Sequence, residues 1–134
     1  MRIDVIHPEG WKPAKGYANA VRVEGAGRLL FVAGQVAWDA EQRLVGPGDM
    51  AVQFGTCLEN VVACVKAAGG EPQHVVRMTV YVTDKRQYVA AARAIGERWR
   101  ALFGRHFPAM ALVQVADLLE DGALVEIEAT AVLP

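Results

Sequence analysis

The sequence predicts an α+β fold, a mixed β-sheet with two helices packed on one of its faces. Two stretches with helical spacing alternate with runs of period two, in the order β-β-α-β-α-β-β, which places a crossover helix between neighbouring strands. The chain has 134 residues, 53% hydrophobic and 22% charged. That length suffices for one core and falls short of two ordinary domains, so residues 1–134 are read as a single domain.

An optional strand at Ile3 to Ile6 opens the chain. Ala20 to Val23 and Leu29 to Ala33 read as two short strands joined by Glu24-Gly25-Ala26-Gly27, a turn rich in residues that tolerate positive φ, and together they predict a hairpin. Gly46-Pro47-Gly48-Asp49 then breaks the pattern and offers Asp49 as an N-cap. Behind it Phe54, Leu58, Val61, Val62 and Val65 recur at helical spacing until Gly69-Gly70 ends the first helix.

Val75 to Val82 alternates Val76, Met78, Val80 and Val82 with Val75, Arg77, Thr79 and Tyr81, a β-branched strand with one buried face. Asp84 caps a second helix whose stripe is Tyr88, Ala91, Ile95, Trp99, Leu102 and Phe103, and which ends at Gly104. Two closing strands are predicted at about Ala109 to Ala116 and Ala123 to Val132, with a turn near Glu120-Asp121-Gly122 between them. The sheet face away from the helices still carries Val, Leu and Met, and no third element remains to bury them. Self-association is therefore expected.

Composition excludes several classes of function. The net charge is −1 and no stretch concentrates Lys and Arg, so nucleic acid is not an expected partner. The N-terminus has no long apolar segment and no run approaches a membrane span, which predicts a cytoplasmic protein without a membrane partner. The chain contains no serine, which removes every serine-nucleophile mechanism. His7, His74 and His106 are scattered without Cys or carboxylate at ligand spacing, so no metal is expected. Gly25-Ala26-Gly27 lacks the third glycine of a dinucleotide fingerprint and precedes a strand, and no cofactor is expected. Cys57 and Cys64 fall seven apart on the first helix, about 10 Å along its axis, too far to bridge each other; both are read as small buried hydrophobes.

The residues with chemical potential lie at strand ends. Gly16-Tyr17-Ala18-Asn19-Ala20, Phe31-Val32-Ala33-Gly34-Gln35, Ala67-Ala68-Gly69-Gly70, Phe107-Pro108-Ala109-Met110 and Val125-Glu126-Ile127-Glu128 follow one another in an order that resembles the Rid (reactive intermediate deaminase, or YjgF) family over nearly the whole chain. That resemblance implies a chorismate-mutase-like, YjgF-like mixed sheet. It also implies a homotrimer whose sheets meet in a central barrel, with a small-molecule cleft at each subunit boundary. The activity implied is hydrolysis of an imine or enamine to a carbonyl compound and ammonia.

By position, Glu126 matches the family's site glutamate and is the expected catalytic residue. Tyr17, Ala33, Gly34, Gln35, Met110 and Leu112 are the expected substrate-binding residues. The match departs from the family at several sites. Met110 stands where the Pro-Ala-Arg signature carries the carboxylate-holding Arg, Ala33 where a Ser is usual, and Ala92 where some members carry Asn. The spacer from position 110 to Glu126 is also one residue longer. An Arg-to-Met exchange removes a bidentate charge-assisted contact of about 1.5–3 kcal/mol and leaves an apolar, flexible floor. Arg105, five residues before Met110, is a candidate replacement cation. Two readings follow: a deaminase whose substrate recognition does not rest on a clamp at position 110, and a non-catalytic trimer that binds a small apolar metabolite.

Overall fold

The computed structural model describes residues 1–134. Its strands are β1 (Arg2–Ile6), β2 (Ala20–Glu24), β3 (Arg28–Gln35), β4 (Val75–Val82), β5 (Ala109–Gln114) and β6 (Val125–Leu133). The helices are α1 (Met50–Ala67), α2 (Lys85–Ala90) and α3 (Ala92–Phe103), and a 3-10 turn at Pro72–His74 leads into β4. Four strands form a mixed sheet in the order β3-β6-β4-β5, with β3–β6 and β6–β4 antiparallel and β4–β5 parallel. The parallel pair is the one that spans α2 and α3, as a crossover requires.

One face of this sheet supplies Met78, Val80, Val82, Val125, Ile127 and Ala129 to the core, and the helices supply Phe54, Leu58, Val61, Val65, Ile95, Trp99 and Phe103. Each aliphatic side chain buried there contributes about 1.5–3 kcal/mol. Asp49 accepts a hydrogen bond from the Val52 amide at 3.1 Å and starts α1. Asp84 accepts from the Arg86 and Gln87 amides and starts α2. No helix is long and apolar enough to cross a membrane.

Four details differ from the sequence expectation. Strands β2 and β3 do not form a hairpin: β2 pairs with β1, from Arg2 opposite Glu24 to Ile6 opposite Ala20, while β3 pairs with β6. Cross-strand charge explains the choice, since Arg2 and Arg22 reach Asp4 and Glu24 at 2.8–3.3 Å, and Val32 of β3 is buried opposite Ala129. The second helix is interrupted at Ala91, whose φ of −93° and ψ of 4° close α2 before α3 begins. At the start of β4 it is Val75, not Val76, that is buried, because the β4–β6 register shifts between Val75 and Arg77. Lastly, Cys57 is buried but Cys64 is exposed, since the buried stripe of α1 runs through Leu58, Val61 and Val65 and leaves position 64 on the solvent edge.

Candidate functional site

Strand β5 fixes the first half of the site. Met110 lies opposite Met78 and Leu112 opposite Val80, so both side chains point to the helix-covered face of the sheet, where they pack against the core. The start of β5 is held by the N-terminal segment: the Ala18 amide donates to the Pro108 carbonyl at 2.9 Å, and Ala18 bridges Ala109. That contact brings Gly16 to the rim of a cavity of about 300 Å³, lined also by Met110 and Leu112.

The helices build the other walls. Phe54 of α1 and Tyr88 of α2 stack with centroids 5.9 Å apart, and burial raises the Tyr88 phenol above its ordinary value. Trp99 of α3 stacks on Phe107 at 5.5 Å and is locked by a 3.1 Å hydrogen bond from its indole N–H to the His106 carbonyl. Ala92, Gly96 and Arg100 occupy one row of α3 along the cavity. The result is a mostly apolar space with a single charged group on its wall.

The opposite face of the sheet carries Glu126 beside Tyr81 and Glu128 beside Thr79. The two carboxylates differ in state. Glu128 accepts a 2.6 Å hydrogen bond from the Tyr81 hydroxyl, which raises the Tyr81 phenol, with burial and the charges of Glu128 and Glu126 adding to the effect. Glu126 is half-buried with neither a hydrogen bond nor an ion pair. Its side chain lies over Gly34, where an added β-carbon would approach the Glu126 Cδ to 2.9 Å. Gly34 sits inside the register irregularity between Val32 and Gln35, and the Gln35 amide folds back to donate to the Ala33 carbonyl at 3.0 Å. Behind the sheet the Cys57 thiol donates to the Val125 carbonyl at 3.6 Å and is pushed up to about 12, first by burial and then by the Glu126 charge.

The expected site residues thus fall into separate groups within one chain. Met110 and Leu112 share the cavity, while Ala33, Gly34, Gln35 and Glu126 cluster across the sheet from it. Tyr17 is 43% exposed and lines a separate depression with His7 and Asn19, not the cavity that Gly16 borders. Arg105 is exposed and does not line the cavity, whereas Arg100 does. Sequence reasoning assigned Phe54, Tyr88 and Trp99 to the core stripe and passed over Gly16 and Arg100. The available signal was the Ala92, Gly96, Arg100 spacing, two small residues and a cation on one helix row.

Residues 9–133 match the family model described as Endoribonuclease L-PSP. A solved structure from Yersinia pestis, described as a protein of unknown function of the conserved Rid protein family, superposes with a TM-score of 0.87 at 37% identity, covering 99% of this chain and 100% of that one. The protein DfrA of Myxococcus xanthus is 36% identical over 137 residues, which is 98% of this chain and 97% of that protein. A 2-iminobutanoate/2-iminopropanoate deaminase of Rattus norvegicus is 34% identical over 116 residues, 87% of this chain and 79% of that protein.

Proposed function

As the chain belongs to the endoribonuclease L-PSP family, also called Rid or YjgF, we propose that it hydrolyses the C=N bond of a small imine or enamine in clefts formed between the subunits of a homotrimer. The observation that carries this reading is Glu126, a half-buried carboxylate with no partner, set over a glycine that leaves the strand backbone open beside it. Such a group accepts a proton from water as the oxygen adds to the imine carbon. The proton returned to nitrogen lets the tetrahedral adduct release ammonia and leave the carbonyl product, so one imine and one water become one carbonyl compound and one ammonia.

Two features of the sheet support the homotrimer within this reading. Leu29 and Phe31 on β3 and Val113 on β5 are 65%, 74% and 43% exposed and flank the polar centre of the open sheet face, an arrangement that favours a covering partner. One chain keeps Met110 and Glu126 on opposite faces of the sheet, so a cleft that uses both groups is one that a neighbouring subunit completes. Met110 and Leu112 would then receive the apolar part of the substrate. Within this reading Tyr17 and Gln35 border the cleft at its subunit boundary.

A second reading, a non-catalytic trimer that binds a small apolar metabolite, draws on the apolar lining of the same cavity. Ribonuclease chemistry has less support, because His7, His74 and His106 hydrogen-bond to separate parts of the chain and do not come together as a pair.

The test is keto-acid release from 2-iminobutanoate and 2-aminoacrylate generated in situ, with the natural protein, Glu126→Gln and Met110→Arg. Activity that is lost in Glu126→Gln supports the deaminase. Activity in neither the natural protein nor Met110→Arg favours the binding protein.

A further inference from the structure

The geometry points to Arg100 as the group that anchors a ligand's carboxylate in this chain, and to a 2-imino or 2-oxo acid with a bulky apolar or aromatic side chain as the ligand class. The inference rests on the imine-hydrolase reading for its chemistry and on the cavity for its specificity.

Three arginines lie on α3, at positions 93, 98 and 100, and they do different things. Arg93 reaches Glu97 at 3.9 Å. Arg98 lays its stem against Gly55, where an added β-carbon would meet the Arg98 Cδ at 2.5 Å. Arg100 has no carboxylate or hydrogen-bond partner for its guanidinium, and it is the one that lines the cavity.

Side chains on a helix lean toward its N-terminus, so Arg100 lies back over the turn that carries Gly96. A β-carbon built at Gly96 would meet only the Arg100 Nη1, at 3.6 Å. With Ala92 one turn further on, the row forms a trough that is apolar along its length and cationic at its end. An unpaired guanidinium on the wall of an apolar space suits one kind of ligand, an anion attached to an apolar body.

Size and shape narrow the class. About 300 Å³ is at the small end of ligand cavities and accommodates an aryl or branched-alkyl group rather than a nucleotide. Trp99, packed between its stacking partners Phe103 and Phe107, makes a rigid aromatic part of the wall, and the Met110 thioether that also lines the cavity adapts to an inserted ring. A two- or three-carbon imino acid would leave that volume unfilled. It would also keep its carboxylate without the apolar contact that holds it beside Arg100.

The experiment is calorimetric titration of the protein with phenylpyruvate, pyruvate and the neutral ketone phenylacetone, for the natural sequence, Arg100→Gln and Arg105→Gln. Arg100 is exposed, so its replacement leaves the core untouched. Phenylpyruvate is expected to bind more tightly than pyruvate, and its affinity to fall about tenfold in Arg100→Gln and not in Arg105→Gln. Phenylacetone is expected to bind the natural protein and Arg100→Gln alike.

Equal phenylpyruvate affinity in the natural protein and Arg100→Gln overturns the assignment, as does tighter binding of pyruvate than of phenylpyruvate. Imine hydrolysis is measured separately. Arg100-dependent phenylpyruvate binding without turnover of any imine sinks the hydrolase and leaves the anchor standing. Turnover that is indifferent to Arg100 with every substrate does the reverse.

Discussion

The carboxylate of Glu126 rests on the backbone of Gly34, close enough that an added β-carbon would stand 2.9 Å from its Cδ and 3.1 Å from its Cγ. Gly34 is not among the glycines with positive φ, so alanine fits the backbone and the contact alone decides the outcome. Gly34→Ala is expected to keep its thermal midpoint within a few degrees while the carboxylate is pushed aside. A displacement of about 1 Å at a catalytic group costs up to about a hundredfold in rate. Imine hydrolysis in Gly34→Ala should therefore fall toward that of Glu126→Gln, as read by keto-acid release. An unchanged rate would separate Glu126 from the chemistry.

The two cysteines should react very differently. Cys64 is exposed and Cys57 is buried with its thiol held up at about 12, so a thiol-specific disulfide reagent at pH 8 should titrate one fast thiol and release the second only on unfolding. Cys64→Ala should abolish the fast phase. The same shift sets a pH dependence. Because the folded value of Cys57 lies above the ordinary 9.0, its contribution to stability is complete below pH 9 and is lost as pH rises from there toward 12. Denaturant midpoints of Cys57→Ala should accordingly decline less steeply over that range than those of the natural protein.

Gln53 is the buried polar residue that ties the site's scaffold together. Its Nε2 donates to the Gly46 and Gly122 carbonyls at 3.2 and 3.1 Å, and its Oε1 accepts from the Leu124 amide at 2.8 Å. Three backbone groups from two loops thus depend on one side chain. Gln53→Leu keeps most of the volume and leaves those groups without partners, at a cost of about 2–4 kcal/mol. Its thermal midpoint should drop by roughly ten degrees, a shift that differential scanning calorimetry resolves.

Most of the fold could be read from the chain because its signals are local. Asp49 and Asp84 cap the helices they were expected to cap, and the alternation of Met78, Val80 and Val82 marks the buried face of β4. The failure at β2 has a physical cause. Glu24-Gly25-Ala26-Gly27 is a valid turn between two strands, but nothing local says that β3 gains more by pairing with β6, nor that Arg2 and Asp4 complement Arg22 and Glu24.

The candidate site followed the same division. Met110, Leu112, Gly34 and Glu126 are nominated by motif, and their placement on opposite faces depends on the registers of β5 against β4 and of β4 against β6. Arg100 carries no motif. It matters through two small neighbours one and two turns away, a relation visible only once the cavity is known.

Phe31 gives the sharpest test of the proposed assembly. It is 74% exposed on β3, an outer strand of the four-stranded sheet, opposite Thr130 and on the face that carries Glu128 and Tyr81. Nothing in the chain's own core depends on it, so Phe31→Asp should leave the far-ultraviolet circular dichroism unchanged. Covering that ring contributes about 1.5–3 kcal/mol per copy, and an aspartate in its place adds the larger cost of burying a charge. Light scattering after size exclusion should find the natural protein trimeric and Phe31→Asp monomeric at micromolar concentration. On the proposed assembly hydrolysis is expected to vanish with the trimer, because one chain keeps Met110 and Glu126 on opposite faces of the sheet. A Phe31→Asp protein that stays trimeric would put the interface elsewhere. A monomer that keeps its activity would mean that the groups on one face of the sheet suffice.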